Sequence, residues 1–289
     1  MIRPQNALLL TLLLFASSIL AAAPTKQAKG LQEWLRFHKA PKADELQVAI
    51  GQFKNPKTGV QVDLVGAIHI GDRAYYQKLN KLFGQYDAVL FELVADPKRA
   101  RNPRGPGNNP VNFMQRAMQS FLELDFQLDT IKYDRPHFIH ADMNPKMFAK
   151  RQKARGESML SLMLKIMQQE MARGRAGKPV DDITPAELLI ALLSKNRAME
   201  MKRLLAANMS AVENTLSTLE AGDGTVILTE RNQVALKALK KTLSDSKYKK
   251  IAIFYGAAHM PDMARRLKKD LGFKESGHQW LSAWHMPRN

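Results

Sequence analysis

The chain has 289 residues, 45% hydrophobic and 25% charged, which is typical of one fairly large globular domain or two small ones. It contains no cysteine, which excludes disulfide bonds, thiolate chemistry and attachment of a lipid to an N-terminal cysteine. The net charge is +17. Outside the cytoplasm such a basic protein favours anionic lipids or envelope polymers, and the sequence contains no nucleic-acid-binding motif.

Residues 1–23 have the three parts of a secretory signal peptide. Arg3 supplies the positive charge, residues 7–16 are mostly apolar, and Ala21 to Ala23 offer small residues for cleavage. The apolar run is short for a membrane-spanning helix, so an uncleaved membrane anchor is the weaker alternative. We therefore predict a cleaved, exported protein, which in a bacterium would be periplasmic.

The mature chain opens with a predicted helix and a predicted β-hairpin. Residues 30–38 carry apolar side chains at helical spacing, whereas residues 46–53 alternate in polarity as a strand does. The Asn-Pro-Lys-Thr-Gly sequence of residues 55–59 is a turn signal, and a second strand follows it at residues 60–67. We expect these two strands to pair.

A βαβ unit follows the hairpin. Residues 73–83 show the apolar spacing of a helix, and the largely apolar residues 87–91 indicate a further strand. A connecting helix predicts that the strands 60–67 and 87–91 form a parallel pair with a right-handed crossover. Residues 97–110 are rich in Arg, Gly, Pro and Asn and cannot build a packed element, so we expect a mobile loop near Glu92 there.

The middle of the chain is predicted to be mainly helical. Apolar residues share one helix face over residues 111–122, and residues 138–142 indicate a short strand. Thr184 and Glu187 form the capping box of another helix, with Pro in its first turn. A long helix follows at residues 197–219.

Four methionines recur every fourth residue and form a ridge on one predicted helix: Met159, Met163, Met167 and Met171. Such a ridge could hold haem, copper or a flexible apolar substrate. Most often it belongs to the hydrophobic core, and we interpret it in that way.

The last quarter returns to alternating helices and strands. A helical pattern at residues 225–243 precedes an apolar strand at residues 251–255, and a final strand is predicted at residues 279–285. The complete pattern predicts a single α/β domain over residues 24–289. We expect a mostly parallel central sheet with flanking helices, and a long all-helical insertion at about residues 111–220.

Two of the predicted strands lead into the same motif, Gly-x-x-His. The first contains Gly66 and His69, and the second contains Gly256 and His259. Glycine at the end of a strand lets the chain turn where a side chain would obstruct it. Each histidine is thereby placed at the carboxyl end of a strand, the edge of an α/β sheet where ligands bind.

A carboxylate completes this set, because Glu92 directly follows the strand at residues 87–91. Two histidines and a carboxylate are the ligand set of a catalytic metal site that keeps one position open for water. We therefore predict that His69, His259 and Glu92 bind one divalent ion. The structural alternatives are histidines bonded within the core and a salt bridge from Glu92 to Arg231.

Further residues are candidates for the same site. Arg231 could bind a substrate carboxylate or stabilise an oxyanion through its forked donors. Glu230 could be the general base or a further metal ligand, and Glu92 is also a candidate base. His140 and Asp142, on the short predicted strand, could line the substrate site.

The order of these motifs resembles the TraB/GumN and Tiki family, which shares a superfamily with the erythromycin esterases and the haem-binding ChaN proteins. The resemblance covers roughly residues 46–285. It rests on five motifs in order: Gly66-x-x-His69, Phe91-Glu92, His140-Ala141-Asp142-Met143, Glu230-Arg231-Asn232 and Tyr255-Gly256-x-x-His259. It implies an α/β fold with a helical insertion and a polar site built from the strand ends.

The resemblance also implies an activity. Tiki-like members are metal-dependent peptidases that need both Gly-x-x-His motifs, so His69 and His259 would inherit a ligand role toward zinc, manganese or cobalt. The erythromycin esterases use the matching histidine as a base without an obvious metal, and ChaN proteins bind haem. We therefore predict an exported metal-dependent hydrolase of peptide or ester bonds. The alternatives are a metal-independent esterase, a haem- or iron-binding protein, and a non-enzymatic envelope scaffold.

Overall fold

A computed structural model describes the chain over residues 33–101, 122–157, 161, 184–219 and 224–288. Within these ranges the chain forms an α/β fold, in which helices flank a mixed sheet with a parallel central part. No helix in these ranges combines the length and the apolar character that crossing a membrane requires.

Helices and strands alternate along most of the described chain. The strands are β1 (Leu35–Lys39), β2 (Ala43–Lys54), β3 (Gln61–Ala67), β4 (Ile70–Gly71), β5 (Ala88–Phe91), β6 (Asp125–Phe126), β7 (Phe138–His140), β8 (Lys250–Gly256) and β9 (Lys274–Pro287). The α-helices are α1 (Arg73–Phe83), α2 (Pro97–Ala100), α3 (Gln127–Thr130), α4 (Pro145–Ala154), α5 (Pro185–Leu193), α6 (Arg197–Leu219), α7 (Arg231–Leu243) and α8 (Met260–Leu271). A π-helical turn (Val226–Glu230) precedes α7, and a 3-10 turn (Ala257–His259) precedes α8.

Four parallel strands form the centre of the sheet in the order β3-β8-β5-β7. Phe254 of β8 lies opposite Val65 of β3 on one side and opposite Phe91 of β5 on the other. Strands of this kind are covered on both faces and consist of continuous apolar runs, and all four residues of β5 are indeed buried. Because the strands are parallel, their carboxyl ends meet at one edge of the sheet.

Antiparallel strands extend the sheet beyond β3. β2 pairs with β1 through residues 44–48 and with β3 through residues 50–54, so β1 and β3 share one edge of this long strand. β9 pairs with β2 along residues 43–54 and takes the opposite edge. A separate two-stranded sheet joins β4 to β6.

Different helices cover the two faces of the sheet. Along β8, Ala252 and Phe254 belong to the core that includes α1 and α6. The alternate residues Ile251, Ile253 and Tyr255 belong to the core that includes α7 and α8. This alternation is the two-residue period of a strand, and it gives three layers with a sheet in the middle.

The structure confirms the predicted α/β fold and many of its elements. β2 and β3 form the predicted hairpin, α1 has the predicted bounds, and β8 precedes the second Gly-x-x-His motif. The capping box is also present, because the Thr184 hydroxyl accepts from the N–H of Glu187 while the Glu187 carboxylate accepts from the N–H of Thr184.

Three predictions are wrong in part. Residues 35–39 form the strand β1 and not a helix, because they pair with the long strand β2. β3 and β5 are parallel but are not neighbours, since β8 lies between them. The predicted loop at residues 97–110 begins with a short helix, α2, whose last residue Ala100 is buried.

The stretch predicted as a helical insertion, at about residues 111–220, is described in part. Its described helices are α3, α4, α5 and α6, and it also supplies β6 and β7. The predicted signal peptide and residues 102–121 lie outside the described residues. So does the predicted ridge of Met159, Met163, Met167 and Met171.

Gly66 lies within β3, so the prediction that it turns the chain after the strand is wrong. Its role is close packing between strands. A Cβ atom at this position would lie 2.8 Å from Val48 Cγ1 and 3.1 Å from the carbonyl oxygen of Ala49. Real Cβ atoms rarely come so close to other atoms, so only glycine lets β2 and β3 keep this separation.

We expect Gly66→Ala to lower the free energy of unfolding by roughly 1–3 kcal/mol, because the added methyl group overpacks the contact with β2. Urea unfolding followed by circular dichroism measures the change. Gly84→Ala is the matched control, since a Cβ there would meet nothing closer than the carbonyl oxygen of Lys81 at 3.4 Å. Equal stability of the two variants would contradict this account.

Candidate active site at the carboxyl edge of the sheet

The carboxyl ends of the parallel strands bring several predicted residues together. β5 ends at Phe91 and is followed by Glu92, whereas β8 ends at Gly256. Phe91 lies opposite both Phe254 of β8 and His140 of β7, so the ends of these three strands are adjacent. The site is therefore built where an open α/β sheet usually binds its ligand.

Glu92 lies at the centre of the site. Its Oε1 accepts a hydrogen bond of 2.6 Å from Arg231 Nη2, and its Oε2 accepts one of 2.6 Å from the backbone N–H of Gly256. His259 Nε2 lies 3.5 Å from Oε1. A Cβ at position 256 would lie 3.4 Å from Oε2, which is an ordinary contact distance, so the approach of β8 to the carboxylate does not depend on glycine.

Arg231 joins Glu92 to Asp142. Arg231 Nε donates to Asp142 Oδ1 at 3.0 Å, and Nη2 donates to Asp142 Oδ2 at 2.5 Å as well as to Glu92. Nη1 donates to the carbonyl oxygen of Ile227 at 3.4 Å. The salt bridge that the sequence offered as the structural alternative for Glu92 is thus present, and it ties the ends of β5 and β7 to the start of α7.

These charges keep Glu92 ionised at neutral pH. Burial alone would raise the pKa of Glu92, but His259 in its protonated form, the guanidinium of Arg231 and the charge of His69 hold it well below its usual range. Burial would likewise lower the pKa of Arg231, whereas Glu92 and Asp142 raise it. The effect of His69 on Glu92 also puts that exposed histidine within electrostatic reach of the carboxylate.

His259 is held by a chain of hydrogen bonds. Its ring is buried, and Nδ1 lies 2.6 Å from Asn232 Oδ1. Asn232 Nδ2 donates to Asp262 Oδ2 at 2.9 Å, which turns the amide oxygen toward the histidine. Nδ1 therefore carries a proton, and Nε2 is the nitrogen that faces Glu92. The ring of Tyr255 packs edge-on against the imidazole at 5.1 Å between centroids.

His69 is held in a similar way at an exposed position. Its Nδ1 lies 3.2 Å from Gln127 Oε1, and Gln127 Nε2 donates to the hydroxyl of Tyr133 at 2.8 Å. The small β4–β6 sheet causes this contact, because β4 directly follows His69 and β6 directly precedes Gln127. The backbone N–H of Gln127 also donates to the carbonyl oxygen of His69 at 2.9 Å.

The two Gly-x-x-His histidines therefore share one arrangement. In each, a side-chain amide oxygen accepts from Nδ1–H, and the nitrogen of the same amide donates to a further partner. An outer partner of this kind fixes the tautomer and the orientation of the ring, which leaves Nε2 for chemistry. The sequence motif repeats, and the hydrogen-bonding environment repeats with it.

The predicted metal ligands are brought together in part. Glu92 and His259 are in contact, whereas His69 is exposed and bonded through Nδ1 to Gln127. In the part of the chain that the structure describes, no group of three or more His, Cys, Asp or Glu side chains is placed to hold a metal ion. A bound metal ion stays a prediction, as does the haem alternative.

His140 and Asp142, predicted to line the substrate site, have partners within the protein. His140 Nε2 lies 2.6 Å from the carbonyl oxygen of Leu93, and its ring packs against Phe91. The side chain of Asp142 has no exposed surface and holds Arg231. Both residues therefore support the strand ends, and Asp142 offers no free oxygen to a substrate.

The side chain of Glu230 contacts a different part of the protein from that of its neighbour Arg231. Its carboxylate lies 3.3 Å from Arg151 of α4 and 3.6 Å from Arg155, which follows α4. The π-helical turn that ends at Glu230 is closed by a bond from its N–H to the carbonyl oxygen of Thr225 at 3.1 Å. Glu230 thus connects the start of α7 to α4, while Arg231 faces the strand ends.

Sequence reasoning assigned no role to the residues that orient the histidines: Asn232, Asp262, Gln127 and Tyr133. A sequence feature could have indicated Asn232, because it follows Arg231 in the Glu-Arg-Asn motif at the start of a helix. No such sequence feature indicates Gln127, because its contact with His69 depends on the pairing of two very short strands.

Comparisons with known proteins give no assignment for this chain. No known family model matches it, and no curated protein matches it significantly. The geometry of the site and the order of the motifs are therefore the grounds for a function.

Neutralising Glu92 should destabilise the protein. We expect Glu92→Gln to lower the free energy of unfolding at neutral pH by roughly 3 kcal/mol, because the buried Arg231 loses one of its two carboxylates. The folded pKa of Glu92 lies below its usual value of 4.5, so its contribution is fully present above that pH and is lost as the pH falls through the lowered pKa. Urea unfolding across the acidic range should show the two proteins converging, and a constant difference would contradict the lowered pKa.

Removing the amide beside His259 should release its ring. In Asn232→Leu we expect the Nε2–H tautomer of His259 to become populated, because Nδ1–H loses its acceptor, and stability to fall by about 1–3 kcal/mol. ¹⁵N shifts of the imidazole report the tautomer. Gln127→Leu is the matched variant, and it should change the tautomer of His69 alone. Unchanged shifts in both variants would refute the proposed orientation.

Proposed function

We propose that this chain is a hydrolase of ester or peptide bonds in which His259 is the general base. The observation that carries the proposal is the position of His259 between Asn232 and Glu92, with Nδ1 at 2.6 Å from an amide oxygen and Nε2 at 3.5 Å from a carboxylate oxygen. A histidine oriented through one nitrogen by a third group is the arrangement expected of an activated base.

His259 suits the role of base better than Glu92 does. The lowered pKa of Glu92 makes its carboxylate a weak base, and both of its oxygens already accept hydrogen bonds. Histidine is the side chain that enzymes use most often as a general base. In the proposed reaction His259 Nε2 takes a proton from a water molecule as that water attacks the substrate carbonyl carbon, and it returns the proton to the leaving group.

Glu92 and Arg231 support this proton transfer electrostatically. The carboxylate of Glu92 would stabilise the imidazolium that forms, since it lies beside the nitrogen that gains the proton. Arg231 keeps Glu92 ionised and fixes its position. Because the donors of Arg231 are engaged by Asp142, Glu92 and Ile227, we assign Arg231 a positioning role in place of the oxyanion contact expected from the sequence.

His69 lies at the same edge of the sheet, and its Nε2 is available to a substrate. Its Nδ1 is bonded to Gln127, the side chain is exposed, and its charge acts on Glu92. In its protonated form it would donate from Nε2 to the developing oxyanion of the substrate. This role gives both Gly-x-x-His histidines a part in one reaction.

The resemblance to the TraB/GumN and Tiki family also supports a hydrolase, because Tiki-like members are peptidases and the related erythromycin esterases use a histidine base. A divalent ion of the type used by Tiki-like members would be bound by His69, His259 and Glu92. The steps above need only the side chains of this chain. Export to the periplasm, proposed from residues 1–23, would give the enzyme extracytoplasmic substrates.

We expect His259→Ala to lower kcat/KM by on the order of 10²- to 10⁴-fold on an ester such as p-nitrophenyl butyrate or on a fluorogenic peptide library. His69→Ala should reduce kcat by a smaller factor. His38→Ala is the control and should leave activity unchanged, because His38 is exposed on β1, away from the strand ends. Full activity of His259→Ala would refute the proposed base.

Elemental analysis of the same preparations separates the metal-free reaction from the metal-dependent one. Near-stoichiometric metal that is lost in both His69→Ala and His259→Ala, together with inactivation by a chelator, would assign His259 to an ion in place of proton transfer. Activity that survives chelation would support the histidine base. A Soret band after haem titration would favour the haem-binding alternative.

A further inference from the structure

The helix α5 presents an apolar surface to solvent. All the large apolar side chains of the described residues that are classed as exposed lie on this helix: Leu189 at 56%, Ile190 at 69%, Leu192 at 43% and Leu193 at 77% of their full exposure. A contiguous apolar surface of this kind usually marks a site of interaction with a protein or a membrane.

The opposite side of α5 holds the helix to the domain. Ala191 is buried in the core, and Leu188 packs against the same core. At about 100° per residue, the four exposed side chains cover roughly 160° of the helix on the other side. α5 is therefore apolar on two sides, of which one packs against the domain and the other faces solvent.

The next helix anchors this surface to the body of the protein. Lys202 of α6 pairs with Asp72 at 3.3 Å, and Arg203 of α6 lies 3.4 Å from Asp44 of β2. α5 packs against α6, and its start is fixed by the capping box at Thr184. The exposed side chains therefore lie on a folded helix that packs against the domain, and not on an unstructured segment.

Length and charge identify the kind of partner. A helix of nine residues is too short to cross a bilayer but suits a position in the plane of the lipid headgroups. Lys195 is exposed shortly after the four apolar residues, and the whole chain carries a charge of +17. Cationic groups beside an apolar helix are the combination that binds anionic lipid.

We infer that α5 is a membrane-docking element, in which Leu189, Ile190, Leu192 and Leu193 insert into the headgroup region of an anionic bilayer. Lys195, two residues beyond the end of the helix, would meet the phosphate groups. A second copy of the chain would match the apolar area, but it carries the same net charge of +17, which opposes association. A lipid surface satisfies both the apolar area and the charge.

The absence of cysteine allows a local test. The full chain carrying Leu193→Cys is labelled with an environment-sensitive nitrobenzoxadiazole dye and mixed with vesicles of equal parts phosphatidylcholine and phosphatidylglycerol. We expect a blue shift and a rise in emission when the dye enters the bilayer. The same dye at Lys240→Cys, on the exposed side of α7, is the matched control and should not respond.

Three variants test what holds the helix to lipid. Added to the labelled protein, Leu189→Ser with Ile190→Ser should weaken binding at least about tenfold, whereas Leu189→Ile with Ile190→Leu should not. Lys195→Ser should weaken it roughly fivefold, the loss expected for one cation near an anionic surface. Circular dichroism checks that each variant is folded, and the variants should retain the basal hydrolase activity.

Three results would overturn the inference. The first is a dye at position 193 that is silent toward the anionic vesicles while light scattering shows a dimer that Leu189→Ser with Ile190→Ser dissociates, since a second copy would then occupy the surface. The second is a silent dye on a monomer, since another part of the chain would then cover α5. The third is equal binding to vesicles of phosphatidylcholine alone, which would remove the role of charge.

Discussion

The buried pair of Glu92 and Arg231 is the interaction on which the rest of the site depends. It places a permanent negative charge at the end of β5, and Gly256 and Asp142 complete its surroundings from β8 and β7. An unpaired carboxylate at this depth would be protonated, because burial disfavours its charge. The guanidinium removes that cost and at the same time fixes the spacing of three strand ends and one helix.

Around this pair the two histidines differ in exposure but not in how they are held. His259 is buried beside Glu92, whereas His69 lies at the exposed rim, and each is oriented by an amide whose nitrogen is itself bonded. α6 packs against both α5 and the turn that carries His259. The proposed lipid-facing surface and the proposed base are therefore joined by one continuous helix.

The fold and the centre of the site could be predicted from the sequence because both depend on local patterns. Apolar runs before Glu92 and Gly256 marked the strand ends, and the rule that parallel strands share a carboxyl edge brought them together. The position of β8 between β3 and β5, and the contact of His69 with Gln127, depend on pairings between distant segments. No local pattern contains that information, so the residues that orient His69 were not found.

The position of β8 also affects when the protein can fold. β3 and β5 leave the ribosome early, but the strand that must lie between them ends at residue 256 of 289, and the strand that covers β2 follows even later. Long-range pairings of this kind delay closure of the central sheet until β8 has been made. In the export that we propose, this order of synthesis would keep the central sheet open while the chain passes through a translocation channel.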